Sequence, residues 1–148
     1  MKKISIITVI LLVFMSGCRY EEGPFLNFKK VEKRIRGVWD ISTVFKNGEA
    51  ITDNFPTDVE SKYSQFNFYN NNVVIITYVK DDIINQSSGS WDFGEKKKTL
   101  IVTFKNDFTN VYREYEIVKF KSNELKLRFT DENDIEWTLV LSLYYATL

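Results

Sequence analysis

The strongest constraint on the fold is a long succession of short apolar–polar alternations, separated only by brief turns. In the clearest case, Leu125, Leu127 and Phe129 alternate with charged residues, which is the two-residue period of a strand with one buried face. Asn47-Gly48 is a strong signal for a tight turn. About eight such strands in sequence predict a sandwich or an up-and-down barrel. An eight-stranded meander removes its exposed edges by closing.

The pattern places these strands at 38–45, 63–69, 73–79, 91–93, 100–104, 111–120, 125–129 and 135–143. The stretch 81–89 is expected to be a loose connection, and Val118 and Phe120 break the alternation in the way a face-switching bulge would. Ahead of the strands, helical spacing of apolar residues predicts a short amphipathic helix over 25–36, ended by Gly37. On one face of the first strand we expect Trp39, Ile41, Thr43 and Phe45.

Composition excludes several classes of function. The 20 basic and 20 acidic residues balance, so no concentrated basic surface for nucleic acid is indicated. The chain has no histidine, which removes the usual neutral-pH acid/base residue and the commonest metal ligand. The acidic run Asp131–Asp134 lacks the glycine and the later glutamate of a calcium loop, so a solvated turn is favoured. We therefore predict no catalytic residues, no metal site, no cofactor and no enzymatic activity.

The N-terminus has the form of a secretion and anchoring segment. Lys2 and Lys3 precede an apolar run that is short for a bilayer span and typical of a signal peptide. The run ends in Met15-Ser16-Gly17-Cys18, which resembles the lipobox of bacterial lipoproteins. The resemblance implies cleavage before Cys18, the only cysteine, and its acylation with chains such as palmitate. An ordinary signal peptide with an incidental cysteine is the alternative.

These features divide the chain into a signal peptide (1–17), an acylated tether (18–27) and a β-barrel domain (28–148). Two or more acyl chains suffice to hold a soluble domain on a membrane. Arg19, rather than Asp, follows the cysteine, and Glu21-Glu22 resembles the acidic export tag of Bacteroidetes-type surface lipoproteins. We expect a lipid anchor in the outer membrane, facing the periplasm or exposed on the cell surface.

The domain resembles the lipocalin-like domain of bacterial lipoproteins. The similarity lies in a short helix, then Gly37-x-Trp39 opening the first strand, then the meander over roughly residues 29–145. It implies an all-β fold, an eight-stranded antiparallel up-and-down barrel with a short N-terminal helix. It also implies that Gly37 and Trp39 close one end of the barrel. One departure from the family pattern is that no arginine follows the last strand to stack on the tryptophan.

Large aromatic side chains recur on the inward face of the predicted strands, and they are the candidate lumen residues. They fit either a packed core, which small barrels often have, or an aromatic-lined pocket. The leading functional hypothesis is an anchored module that binds a small apolar or amphipathic ligand. The alternative is an accessory module of a cell-envelope complex, with a filled barrel and an outer apolar patch near Val74 and Ile76. The candidate lumen residues are Phe66, Phe68, Trp91, Tyr115, Phe129 and Trp137.

Overall fold

The structure, a computed structural model, describes residues 31–51, 62–80, 82–106 and 109–144. Within these ranges one short helix, α1 (Val31–Ile35), precedes the strands. The strands are β1 (Gly37–Lys46), β2 (Glu49–Ile51), β3 (Lys62–Phe68), β4 (Val73–Lys80), β5 (Ile83–Phe93), β6 (Thr99–Asn106), β7 (Thr109–Phe120), β8 (Glu124–Thr130) and β9 (Glu136–Tyr144). A 3₁₀ turn, Glu95–Lys97, joins β5 to β6.

Every strand pairs antiparallel with its neighbour, and β1 also pairs with β9, so the sheet closes on itself. The first half of β1 pairs with β3, while the three-residue β2 pairs with its second half. The closed sheet therefore has eight strands, β1 and β3 to β9, and the predicted fold class is confirmed. We call the end where α1 precedes β1 the helix end. The far end is the opposite one, where β1 and β8 finish and β9 begins.

The alternation of side chains explains the core. Leu125 and Leu127 of β8 are fully buried, and the charged residues between them lie on the outer face. Val31 and Ile35 of α1 belong to the same apolar cluster as the inward residues of the strands. The described helix covers the second half of the predicted segment 25–36, whose residues before 31 lie outside the described part.

The predicted facing of β1 is wrong beyond Ile41. A bulge shifts the register between Ile41 and Thr43, and the hydroxyl of the extra residue, Ser42, donates to the Val140 carbonyl at 3.0 Å. Because one added residue exchanges the two faces of a strand, Val44 is buried instead of its neighbours. The predicted bulge of β7 is confirmed, since the pairing with β8 shifts between 117 and 119.

Two further expectations need correction. The stretch 81–89 is not loose in its described part, because β5 begins at Ile83 and pairs with β4 from Ile83 to Ser90. Gly89 lies in this strand where a Cβ atom would sit 2.0 Å from the Thr103 carbonyl oxygen of β6. Val74 and Ile76 are fully buried in the core, so they cannot form an outer apolar patch.

Candidate functional site

Trp39 lies at the helix end, where α1 packs against the barrel. The indole is completely buried, and its Nε1 donates to the Ile35 carbonyl at 2.7 Å. It meets the Phe120 ring edge-on, with 6.1 Å between centroids. The Arg34 guanidinium lies 4.2 Å from the centroid of Phe120 and also donates to its carbonyl. An arginine–aromatic contact is therefore present at the helix end, between Arg34 of α1 and Phe120 of β7.

Gly37 provides the backbone geometry that turns the chain from α1 into β1. Its φ of +132° lies in a region that side chains with a Cβ atom rarely adopt. A Cβ atom there would also lie 3.0 Å from Cδ1 of Leu143. The structure places both Gly37 and Trp39 at the helix end, and their closing role stays a prediction.

The six candidate lumen residues are all buried and belong to one core cluster. Five of them form a continuous series of ring contacts: Trp91 with Phe68 (5.8 Å between centroids), Phe68 with Phe66 (5.9 Å), Phe66 with Tyr115 (6.5 Å) and Tyr115 with Phe129 (5.4 Å). All but the stacked Phe66–Phe68 pair meet edge-to-face, a favourable aromatic geometry. The interior therefore contains an aromatic row that crosses from β5 through β3 to β7 and β8.

Trp137 lies at the far end, directly opposite Phe129 in the β8–β9 pairing. Its Nε1 donates to Oδ2 of Asp131 at 2.8 Å, and Nζ of Lys46 lies 5.1 Å from its ring centroid. Asp131 also accepts backbone N–H groups through Oδ1, at 2.8 Å from Asn133 and 3.0 Å from Ile135. The indole hydrogen bond is the largest influence that lowers the pKa of Asp131, with backbone hydrogen bonds and Lys46 adding to it. The acidic turn is thus organised by one aspartate that fixes Trp137.

Sequence reasoning missed Arg113. In the β6–β7 register it stands opposite Val102, which is fully buried, so Arg113 points to the inside of the barrel. Its guanidinium lies 4.5 Å from the centroid of Phe129 and close enough to the Tyr115 hydroxyl to lower the pKa of that group. Arg113 is two residues from Tyr115, which is two residues from Ile117, so the three side chains share one face of β7. Because Tyr115 and Ile117 were predicted to face inward, this spacing could have identified Arg113 as inward. An inward cation therefore accompanies the aromatic row.

Burial raises the pKa of Tyr115 above its ordinary value, while the charge of Arg113 and a hydrogen bond from it act in the opposite direction. The hydroxyl consequently stays protonated at neutral pH. It is a neutral donor and acceptor beside the inward cation of Arg113.

Within the described residues, no group of three or more acidic or cysteine side chains could hold a metal ion. The same part of the chain contains no helix of the length and hydropathy needed to cross a membrane. Cys18, the predicted lipidation site, lies outside the described residues.

No family model matches the chain, and no curated protein matches it. Several solved structures are similar to it. Bovine odorant-binding protein in complex with a selenium-containing odorant is similar, with a TM-score of 0.50 and 13% identity over 82% of this chain and 77% of that one. Odorant-binding protein from bovine nasal mucosa has a TM-score of 0.48 at 12% identity, covering 83% and 79% of the two chains. Aphrodisin, a sex pheromone from female hamster, has a TM-score of 0.44 at 12% identity, covering 77% and 78%. The first of these similarities, at 13% identity, supports the fold alone, a lipocalin-like barrel.

Proposed function

We propose that this protein is a lipid-anchored, non-enzymatic lipocalin-like module that binds a small apolar or amphipathic ligand inside its barrel. The observation that carries the proposal is the inward aromatic row within a closed sheet. Rings that meet edge-to-face present apolar surfaces to each other. A slender hydrocarbon chain can pack between such rings and replace ring–ring contacts with ring–hydrocarbon contacts. The similarity to a bovine odorant-binding protein in complex with an odorant agrees with this use of the barrel interior.

We propose that the ligand enters from the far end. At the helix end, the buried indole of Trp39, the Phe120 ring and α1 occupy the space around the start of β1. At the far end, Lys46 is exposed while Phe129 and Trp137 lie inside. A charged rim around an apolar interior suits a ligand that crosses from water to hydrocarbon surroundings.

The anchor is proposed from the sequence. Met15-Ser16-Gly17-Cys18 provides the lipobox pattern, and acylation of Cys18 would hold the barrel at the outer membrane.

The anchor is tested in cells that express the wild type or Cys18→Ala, which are labelled with an alkynyl fatty acid and fractionated. We expect label and membrane association in the wild type and loss of both in the variant. Retention of label by the variant would show that another residue or mechanism is responsible.

Binding is tested with dodecan-1-ol and the full chain in phospholipid nanodiscs, with empty nanodiscs as the blank. We expect Phe129→Ala to weaken binding by about tenfold, because an inward ring that packs on the tail is lost. Tyr112→Ala is the matched control, since Tyr112 lies on the outer face of β7 and is 63% exposed. Wild-type protein that binds no dodecanol above the blank, or equal losses in the two variants, would contradict interior binding.

One observation favours the accessory role as a second candidate. Ile83 and Ile84, at the far end of the β4–β5 pair, are 63% and 73% exposed. Adjacent exposed isoleucines are a common feature of protein contacts. A photoreactive residue at position 84 would crosslink to one specific envelope protein in cells if this role holds, while the same residue at position 121 would not. Crosslinking patterns that do not differ between the two positions would argue against it.

A further inference from the structure

Beside the aromatic row lies an inward positive charge, Arg113, whose placement indicates the chemistry of the ligand. Arg113 faces inward because its partner across the β6–β7 ladder, Val102, is a fully buried core residue. The residues on either side of it in β7, Tyr112 and Glu114, are exposed on the outer face. The guanidinium is held over the ring of Phe129, at 4.5 Å from the centroid.

The contacts of Arg113 leave its charge without a counter-ion in the described part of the chain. The Tyr115 hydroxyl is a neutral partner and can engage one of the five guanidinium N–H groups. Glu116, two positions after Glu114 on the outer face, pairs instead with Arg128 at 2.8 Å. A partly buried cation without an anion is costly to maintain, so an anion supplied from outside would be bound strongly.

Two other inward polar side chains, both in β5, are already hydrogen-bonded to backbone carbonyls. Ser87 donates to the Lys105 carbonyl, and Asn85 donates to the Ile83 carbonyl. Lys46, the second cation near the inward rings, lies close enough to Asp131 to lower the pKa of that carboxyl. Among these polar groups beside the aromatic row, Arg113 is therefore the one suited to bind a negative charge.

We propose that Arg113 binds the carboxylate of an amphipathic ligand, beside the Tyr115 hydroxyl and the Phe129 ring, with the hydrocarbon tail among the inward aromatic residues. This inference rests on the proposed function and narrows the ligand class from apolar molecules to long-chain carboxylates. A planar guanidinium matches a carboxylate with two parallel hydrogen bonds, and a protonated tyrosine hydroxyl can donate a third.

The test uses dodecanoate and methyl dodecanoate, which share a tail and differ in charge. Each is titrated into the full chain in phospholipid nanodiscs, with empty nanodiscs subtracted. We expect the wild type to bind dodecanoate at least tenfold more tightly than the ester. In Arg113→Gln, dodecanoate binding should weaken by about 10- to 100-fold while ester binding stays within about twofold. Arg113→Lys should restore part of the preference, since it keeps the charge and loses the bidentate geometry.

Two controls separate a specific contact from general attraction. Arg128→Gln makes the same change on the outer face, and Lys121→Gln removes an exposed positive charge at the helix end. Both should keep the preference for dodecanoate. Arg113→Met distinguishes a binding role of Arg113 from a structural one. The proposal predicts that this variant, without ligand, is no less stable than the wild type. The reason is that an apolar side chain replaces an inward charge that has no counter-ion in the described part of the chain.

A spectroscopic measurement reports the carboxylate directly. With [1-¹³C]dodecanoate, the bound carboxyl should remain ionised to lower pH in the wild type than in Arg113→Gln, because a neighbouring cation lowers a carboxyl pKa. If the ester binds but the preference for dodecanoate is absent or survives in Arg113→Gln, the head-group inference is wrong and the proposed function stands. If neither compound binds the wild type, the proposed function itself fails.

Discussion

Replacing Trp39 by phenylalanine tests how the helix end is held together. The change keeps an aromatic ring near Phe120 but removes the 2.7 Å hydrogen bond from Nε1 to the Ile35 carbonyl. Ile35 is the last residue of α1, so its carbonyl has no partner within the helix. Trp39→Phe therefore leaves a buried acceptor unsatisfied and also removes core atoms.

The expected magnitude follows from these two losses. A buried acceptor without a partner costs about 1–3 kcal/mol, and the smaller ring adds about 1 kcal/mol through lost packing. We expect Trp39→Phe to lower the free energy of unfolding by about 2–4 kcal/mol. Trp91→Phe is the matched control, because the indole hydrogen bond from Trp91 to the Tyr69 carbonyl is longer, at 3.2 Å. We expect this substitution to lower the free energy of unfolding by about 1–2 kcal/mol.

The assay is urea unfolding followed by far-ultraviolet circular dichroism, which does not depend on the tryptophans being removed. Hydrogen exchange of the α1 amides supplies a local readout, and it should accelerate in Trp39→Phe and stay unchanged in Trp91→Phe. A Trp39→Phe loss no larger than that of Trp91→Phe, with unchanged exchange in α1, would refute the argument that this indole ties the helix to the barrel.

Three further predictions concern the backbone and the acidic turn. Gly37→Ala should lower the free energy of unfolding by about 1–3 kcal/mol, because a φ of +132° strains alanine, and urea unfolding measures the loss. Gly89→Ala should cost about 3 kcal/mol in the same assay, since its Cβ would lie 2.0 Å from a β6 carbonyl oxygen; a smaller loss than that of Gly37→Ala would contradict the close approach. The folded-state pKa of Asp131 is lowered, chiefly by its bond from Trp137, so its stabilisation is present above the unfolded pKa of about 3.9 and is lost as pH falls through the folded pKa. The stability difference between wild type and Asp131→Asn should therefore shrink from pH 7 to pH 3, and a constant difference would contradict the assignment.

The fold could be predicted because its main signal is local. In β8, Leu125, Leu127 and Phe129 alternate without interruption, and all three are buried as the pattern indicates. The β7 bulge was also predictable, since Val118 and Phe120 carry apolar side chains at positions that strict alternation would place outside.

What could not be predicted depends on pairing between distant strands. Ser42 is an ordinary outward residue by sequence, and only the register with β9 makes it the extra residue of a bulge. In β5, Ser87 and Gly89 have low strand propensity, yet pairing with both β4 and β6 holds them in the sheet. Arg113 shares the inward parity of Tyr115 and Ile117, but a charged residue is assigned to the outer face by default, and the register opposite Val102 is what fixes its direction.

The most direct test of ligand binding inside the barrel is a crystal structure of the protein soaked with 12-bromododecan-1-ol, with bromine located by its anomalous scattering. We predict a bromine peak inside the barrel, in contact with the inward aromatic rings that include Phe129 and Tyr115. A barrel interior without bromine, with peaks confined to outer residues such as Ile84, would contradict the proposal.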